Sequence, residues 1–311
     1  MKYKDWIETW LENYVKPSVK CRTYERYREL ATLHVVKELG DFEMHELTAP
    51  ILQLYTVHLL TAGNLKNGGG LETSTVNCII TVIQNSLKKA YAVGATNDYI
   101  GDKITRPSKK AGEVTCFSLE EQKNIEAEIN SRRNIKMYGV IVCLYTGLRV
   151  GELLALEKTD VDVKKRTISV TKTCRDEKCG NKFMRRTDAP KTPSSVRLIP
   201  ISMNLMPYIE ALMENESNYL INSKVGKVLA VRSYQRSFEL LLKRLDIKHR
   251  GFHTLRHTFA TRAMECGVDV KTLAEILGHK NPMITLKCYA HSLDEHKNAM
   301  MNKVGALMDN V

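Results

Sequence analysis

Apolar side chains recur at helical spacing along most of the first hundred residues. In WIETWLENYV (6–15) they occupy positions i, i+1, i+4, i+5 and i+8, the stripe that an amphipathic helix turns toward a core. The same spacing continues downstream, and glycines or prolines interrupt it where one helix should end and the next begin. The pattern predicts four short helices that pack as a small bundle, over about 6–15, 23–39, 49–62 and 73–93.

The pattern changes twice in the rest of the chain. Residues 94–117 lose helical periodicity and are rich in Gly, Pro, Ser and Lys, which is typical of an exposed linker. Helical spacing resumes at Ser118, which together with Glu121 has the spacing of a capping box. Alternating patterns in RTISVTKT (166–173) and VRLIPIS (196–202) then predict two strands joined by a long polar segment.

These elements predict a mainly α fold with a small antiparallel β-sheet, divided into two domains. We place a helical domain at residues 1–107, a linker at 108–117 and a larger, mostly helical α+β domain at 118–311. A chain of 311 residues is long enough for each domain to bury its own core. No apolar run approaches the roughly 18 residues needed to cross a bilayer, and the polar start lacks the apolar segment of a signal peptide. We therefore expect a cytoplasmic protein with no membrane partner.

Basic side chains exceed acidic ones, 47 to 35, which gives a formal charge of +12 at pH 7. Residues 1–110 carry 15 basic and 12 acidic side chains and the rest carry 32 and 23, so the second part supplies nine of the twelve excess charges. An excess of this size favours a polyanionic partner, with nucleic acid first and a membrane surface second. Charge alone does not separate such a protein from a basic protein that binds nothing in particular.

The eight cysteines are scattered and form no CxxC pair. Cys174 and Cys179 lie closest together, but a zinc site would need a second pair of ligands that the sequence does not supply. Reduced thiols that act as small apolar side chains are the simpler interpretation. The chain also lacks a GxxxxGK[ST] phosphate loop. We therefore predict neither a metal ion nor a cofactor.

The stretch GFHTLRHTFA (251–260) holds two histidines four residues apart, a spacing that can chelate zinc on a helix. Zinc hydrolases, however, place a glutamate directly after the first histidine, where this chain has Thr254. Arg256, between His253 and His257, would also repel a cation, and no third ligand is evident. The residues therefore argue against a metal ion, and they leave buried packing or part of a catalytic centre for an anionic group as the alternatives.

Three further stretches carry candidate chemistry in a fixed order along the chain. TGLRVGELLAL (146–156) sets Arg149 between two glycines beside a helix start, where its planar guanidinium can reach a phosphate. PKTPSSVR holds Lys191, and LGHKNPMITLKCYAH places Tyr289 ten residues after His279. Together with GFHTLRHTFA, these stretches give an arginine, a lysine, a histidine, an arginine, a histidine and a tyrosine in chain order. This order resembles the tyrosine recombinase family of phage and transposon integrases.

The resemblance covers about residues 118–305 and implies a core-binding domain followed by a catalytic domain. It assigns six residues to the reaction: two arginines that hold the scissile phosphate, a lysine that protonates the departing 5′ oxygen, two histidines that serve as acid–base group and hydrogen-bond donor, and a tyrosine nucleophile. In that order they are Arg149 and Arg256, Lys191, His253 and His279, and Tyr289. Lys172, in the preceding strand, is the alternative lysine, and His257 is expected to pack or hydrogen-bond behind the site.

The chemistry of strand transfer accounts for these residue types. Two guanidinium groups can neutralise the charge that gathers on the non-bridging oxygens of a pentacoordinate phosphorus without a metal ion. The 3′-phosphotyrosine that the resemblance implies would conserve the energy of the phosphodiester bond, so no ATP site is needed. The resemblance further implies double-stranded DNA recombination sites as substrate and a homotetramer on two duplexes, with a monomer in the absence of DNA. It also implies a setting in the nucleoid of a bacterial cell, where the protein would integrate or excise a phage or mobile element.

Two other functions remain open at this point. A DNA-binding regulator would use the helix-turn-helix-like spacing of residues 254–277, but it would leave Arg149, Lys191 and Tyr289 without a role. A type IB topoisomerase would share the chemistry, but it would work as a monomer and relax supercoils without preference for a site. A last apolar stripe near the C-terminus could pack on a neighbouring subunit or on its own domain, through Met300, Val304, Leu307 and Met308.

Overall fold

A computed structural model describes residues 1–108, 115–179, 182–188, 196–222 and 229–283, together with residues 301, 305 and 308. The chain forms two compact units, Met1–Gly112 and Glu113–Val311. Each unit encloses its own hydrophobic core. The boundary between the units falls within residues 108–117.

The first unit is helical. Its helices are α1 (Tyr3–Trp10), α2 (Cys21–Leu30), α3 (Val36–Leu39), α4 (Ala49–Ala62) and α5 (Thr73–Ala92). Single turns of π-helix, Leu11–Val15 and Ala31–Val35, continue α1 and join α2 to α3. The four predicted helical segments are confirmed, with the difference that the first two are not uniform α-helices.

Helix α5 buries one long face in the core of this unit. Its buried apolar residues fall three, four and seven apart, mainly Val76, Ile79, Ile80, Ile83 and Leu87. Two aromatic side chains of α1 also satisfy their polar atoms here, because Tyr3 Oη lies 2.7 Å from Ser86 Oγ and Trp6 Nε1 donates to Ser86 O at 3.1 Å. A buried polar atom without a partner would cost about 1–3 kcal/mol, so these bonds allow the aromatic rings to enter the core.

The second unit is built around a helix that is apolar on all sides. Its described helices are α6 (Leu119–Ser131), α7 (Tyr138–Thr146), α8 (Val150–Ala155), α9 (Met206–Met213), α10 (Val231–Arg244), α11 (His253–Glu265) and α12 (Val270–Leu277). Helix α7 is buried along most of its length, and α8, α9 and α11 pack around it. The predicted capping box of α6 is confirmed: Glu121 N donates to Ser118 Oγ at 3.0 Å, and Ser118 N donates to Glu121 Oε2 at 2.8 Å.

A three-stranded antiparallel sheet lies in the second unit. Its strands are β1 (Val161–Asp162), β2 (Thr167–Val170) and β5 (Arg197–Pro200), in the order β1–β2–β5. Ile168 of β2 is buried and stands opposite both Val161 and Ile199. The two predicted strands therefore pair with each other, although they are separated by the long polar segment.

That polar segment contains a second hairpin that the sequence pattern did not predict. Strand β3 (Thr173–Cys179) pairs with β4 (Lys182–Asp188), so the single strand expected over 166–173 is in fact interrupted after Val170. Charged side chains join the hairpin to the helices. Asp176 accepts hydrogen bonds from the backbone N–H groups at the start of α10, at 3.0 and 2.9 Å. These partners are more than fifty residues away, so a local hydrophobic pattern cannot reveal them.

The exposure of the thiols only partly fits the interpretation of the cysteines as small apolar side chains. Cys143 and Cys174 are buried, but Cys21, Cys78 and Cys266 are exposed free thiols, so for those three the interpretation is wrong. Within the described part of the chain, no helix is long and apolar enough to cross a membrane. Three members of the predicted C-terminal stripe (Met300, Val304 and Leu307) lie outside the described residues, and Met308 is exposed.

Candidate active site

The turn between α7 and α8 presents Arg149. Gly147 ends α7 with a left-handed backbone (φ +67°), and Arg149 stands at the N-cap position of α8 with its side chain 36% exposed. A Cβ atom on Gly147 would lie 2.6 Å from Phe259 and 2.7 Å from Leu277. Glycine is therefore needed both for the backbone angle and for the close approach of α11 and α12.

Helix α11 begins at His253 and brings Arg256 to the same turn. Arg256 is only 2% exposed, and its terminal nitrogens donate to Gly147 O at 2.9 Å and Leu277 O at 2.6 Å. The bonds join α11 to the end of α7 and to the end of α12. A buried guanidinium needs hydrogen-bond acceptors, and backbone carbonyls supply them without cancelling its charge.

The end of α12 places His279. Gly278 adopts a left-handed conformation (φ +67°) that closes the helix, and His279 N donates to Ala274 O at 2.9 Å. The carbonyl oxygen of Leu277, two residues before His279, also accepts a long hydrogen bond from Arg149 at 3.5 Å. Both candidate phosphate-holding arginines thus converge on one carbonyl beside His279.

Glu152 is the buried carboxylate behind this cluster. It is 4% exposed, and it accepts hydrogen bonds from Arg149 N at 3.0 Å and from the Arg149 guanidinium at 2.7 Å. Burial opposes its ionisation, but the hydrogen bond and charge of Arg197 and the charge of Arg149 outweigh burial, so the pKa of Glu152 lies below its usual value. Glu152 is not among the site residues that the sequence predicted; its position in the first turn of a helix, three residues after Arg149, was the available signal.

The three histidines of the cluster have depressed pKa values. Desolvation by the surrounding protein, the neighbouring His257 and the charges of Arg256 and Arg149 lower the pKa of His253 to about 4, although the residue itself is exposed. Burial and the same arginines lower the pKa of His279 to about 4 as well. His257 is half-buried, its ring lies edge-on to that of His253 with centroids 4.7 Å apart, and burial followed by the charge of Arg256 lowers its pKa. At neutral pH the imidazoles are therefore uncharged, each with one donor and one acceptor nitrogen.

The structure places Lys172 but not the other lysine candidate. Lys172 lies between β2 and β3, where its ammonium group is 2.8 Å from Glu157 and 3.3 Å from Asp160. Burial disfavours its charge, but the two carboxylates outweigh burial and raise the pKa of Lys172. Lys191 and Tyr289 lie outside the described residues. In the described ranges, no group of three or more His, Cys, Asp and Glu side chains is placed to hold a metal ion.

Comparison with protein families gives matches over most of the chain. The model of the phage integrase family matches residues 120–296, and the model of the N-terminal SAM-like domain of phage integrases matches residues 2–60. The chain is 28% identical to a tyrosine recombinase XerC-like protein of Caldanaerobacter subterraneus subsp. tengcongensis. That alignment covers 98% of this chain and 82% of the relative.

Two solved structures share the fold at lower sequence identity. The integrase of transposon Tn1549, in complex with circular-intermediate DNA, superposes with a TM-score of 0.82 at 20% identity, over 98% of this chain and 99% of that one. The lambda integrase tetramer bound to a Holliday junction superposes with a TM-score of 0.68 at 15% identity, over 91% of this chain and 78% of that one. The predicted fold class, a helical domain followed by an α+β domain with a small antiparallel sheet, is thereby confirmed.

Proposed function

The chain belongs to the phage integrase family of site-specific tyrosine recombinases, and we propose that it cuts and rejoins DNA with Tyr289 as the nucleophile. The main support for this proposal is the arrangement of four side chains. Arg149 and Arg256 come from different helices and converge on Leu277 O, with His253 one helical turn before Arg256 and His279 two residues after Leu277. Two cations and two neutral imidazoles in one partly open cluster suit a phosphodiester.

In the proposed reaction, the arginines stabilise charge that develops on phosphorus. The Tyr289 oxygen attacks the scissile phosphorus, the bond to the 5′ oxygen breaks, and a 3′-phosphotyrosine forms. The non-bridging oxygens gain charge in the pentacoordinate transition state, and guanidinium donors fixed beforehand by Leu277 O and Glu152 need no rearrangement to meet it. Attack of a 5′ hydroxyl from another strand reverses the step and completes strand exchange.

Proton transfer in this scheme falls to the histidines and a lysine. A tyrosine hydroxyl has a pKa of about 10, so it needs a base nearby or a strong positive field. A neutral His253 can accept that proton, and a neutral His279 can donate a hydrogen bond to a phosphate oxygen. We assign protonation of the departing 5′ oxygen to Lys191, because two carboxylates already hold Lys172.

We also propose how the chain engages DNA. Residues 1–107 would act as the core-binding domain, residues 108–117 as linker, and residues 118–311 as catalytic domain. The second part carries most of the excess positive charge, so phosphate contacts should come mainly from it, and affinity should fall steeply with salt. The assembly would be a homotetramer on two duplexes, in line with lambda integrase, which is a tetramer when it is bound to a Holliday junction.

Covalent capture of DNA tests the proposal. Nicked duplexes tiled across the DNA that flanks the coding region are incubated with the protein, and complexes that survive denaturant are recovered. We expect the wild-type protein to retain one defined site and the recovered peptide to carry a phosphate on Tyr289. Tyr289→Phe should recover no DNA. An adduct formed by Tyr289→Phe contradicts the assignment, and supercoil relaxation without site preference would point to a topoisomerase.

A further inference from the structure

Arg197 lies behind the cluster, and neither the sequence motifs nor the proposed reaction gives it a role. It begins strand β5, and its side chain is 6% exposed. Its terminal nitrogens donate to Glu152 at 3.2 and 2.9 Å, and its Nε donates to Ile276 O at 2.6 Å. One guanidinium therefore connects β5, the start of α8 and the end of α12.

The geometry links Arg197 to two residues that would contact the phosphate. On one side, Glu152 holds both the backbone N–H and the guanidinium of Arg149. On the other side, Ile276 lies three residues before His279, and a Cβ atom on Gly278 would come within 3.1 Å of Arg197. The turn that carries His279 is thus packed directly against the Arg197 guanidinium.

The charge balance around Glu152 also gives Arg197 a role in the cluster. Glu152 is a single buried carboxylate that is shared by two guanidinium groups, so the trio keeps one net positive charge. Without Arg197, both carboxylate oxygens would be left to Arg149, whose charge toward a phosphate would then be largely cancelled. The positive charge of Arg197 is also one of the influences that keep His279 uncharged.

We propose that Arg197 is a positioning residue for strand cleavage, which acts through Glu152 and Ile276 O to orient Arg149 and His279 without touching the DNA. The inference rests on the proposed phosphate contacts of Arg149 and His279. A planar guanidinium is required because three acceptors in two directions must be met at once.

The test compares Arg197→Met, Arg197→Lys, Glu152→Gln and the double variant Arg197→Met/Glu152→Gln. We expect Arg197→Met to lower the single-turnover rate of adduct formation about 10- to 100-fold at saturating protein, because small misplacements of reacting groups have effects of this size. The dissociation constant for DNA should change less than about threefold, because Arg197 is buried. Arg197→Lys should recover part of the rate, since it restores the charge but not the fork.

The double variant separates positioning from general destabilisation. Because Arg197 acts partly through Glu152, the rate loss of the double variant should be smaller than the product of the two single losses. The matched control is Arg250→Met, which removes another partly buried arginine bound to a carboxylate, Glu121 at 2.8 Å. It should lower the urea midpoint but leave the adduct rate within about threefold. Multiplicative losses in the double variant, or an equal rate loss in Arg250→Met, overturn the inference.

A pH titration of His279 tests this inference independently of the proposed function. In the absence of DNA, the His279 imidazole resonance should titrate at higher pH in Arg197→Met than in the wild-type protein. An unchanged titration contradicts the inference even where the adduct forms normally. Failure of the wild-type protein to form any adduct, with the titration shifted as expected, would count against the recombinase chemistry alone.

Discussion

Arg256 donates a hydrogen bond to the carbonyl oxygen of Leu277 at 2.6 Å, which fastens the helix that begins at His253 to the end of the helix that precedes His279. The last carbonyls of an α-helix have no partner within the helix and form its negative end. Guanidinium groups satisfy two of them here, since Arg197 binds Ile276 O and Arg256 binds Leu277 O. A helix end therefore sets the spacing of these two guanidinium groups.

Replacement of Arg149 should abolish most cleavage while DNA binding survives. We expect Arg149→Ala to lower the rate of adduct formation about 10²- to 10³-fold, because one preorganised charged donor is lost from the transition state. DNA affinity should fall only slightly, since one phosphate contact among many is removed. Single-turnover kinetics and fluorescence anisotropy on the same duplex measure the two effects. A rate loss below tenfold would remove Arg149 from the phosphate site.

The close approach at Gly147 gives a prediction with a matched control. Gly147→Ala should lower the free energy of unfolding by about 2–4 kcal/mol, because a left-handed alanine is strained and its Cβ would overlap Phe259 and Leu277. It should also abolish adduct formation, since Gly147 O holds Arg256. Gly267→Ala, with φ +85° but nothing within 4 Å of the added Cβ, should cost about 1–2 kcal/mol and leave cleavage intact. Equal effects of the two variants would show that only backbone strain matters.

The two lysine candidates can be separated with a modified substrate. Lys191→Met should lower cleavage of an ordinary duplex about 10²- to 10⁴-fold, because the 5′ oxygen must leave without a proton. A substrate with sulfur in place of that 5′ oxygen should restore the rate, since a thiolate leaves unprotonated. Lys172→Met should lose at most about 1 kcal/mol of stability and cleave both substrates normally, because its ammonium is bound to Glu157 and Asp160. If Lys172→Met cleaves the ordinary duplex slowly and the sulfur substrate restores its rate, Lys172 and not Lys191 protonates the 5′ oxygen.

The depressed pKa of His279 predicts a loss of stability in mild acid. Its pKa of about 4 lies below the ordinary value near 6.5, so between these pH values the unfolded chain takes up a proton that the folded chain does not. The contribution is therefore fully present above about pH 6.5 and is lost as the pH falls toward 4. The wild-type protein should lose more unfolding free energy between pH 7 and 5 than His279→Gln does, as urea titrations at each pH will measure. Identical slopes for the wild-type protein and His279→Gln would contradict the burial of His279.

Much of the local structure followed from the sequence. The helix over Ala49–Ala62 and the capping box at Ser118 are both present as predicted. The order of motifs also indicated the family, to which the chain belongs. In each case the deciding contacts join residues within a few positions of one another, and such contacts leave a readable spacing in the chain.

Other features arise from residues that are far apart in the sequence. The hairpin of β3 and β4 lies in a stretch whose polar composition indicated a loop. Its charged side chains bind helices that are distant in the sequence, so no local pattern reveals the hairpin. The resemblance already favoured Lys191 over Lys172, but the carboxylates of Glu157 and Asp160 that bind Lys172 come from tertiary contacts.

The sequence by itself determined the helices, the caps, the excess positive charge and the residue types available for phosphate chemistry. Only the tertiary structure decided that Arg149 and Arg197 share Glu152, although Arg197 lies 45 positions after it in the sequence. It also decided that two helix-end carbonyls hold the guanidinium groups of Arg197 and Arg256 in place. Periodicity and capping depend on the chain's own neighbours, whereas the direction and charge balance of a buried cation depend on acceptors that packing brings to it from elsewhere in the chain.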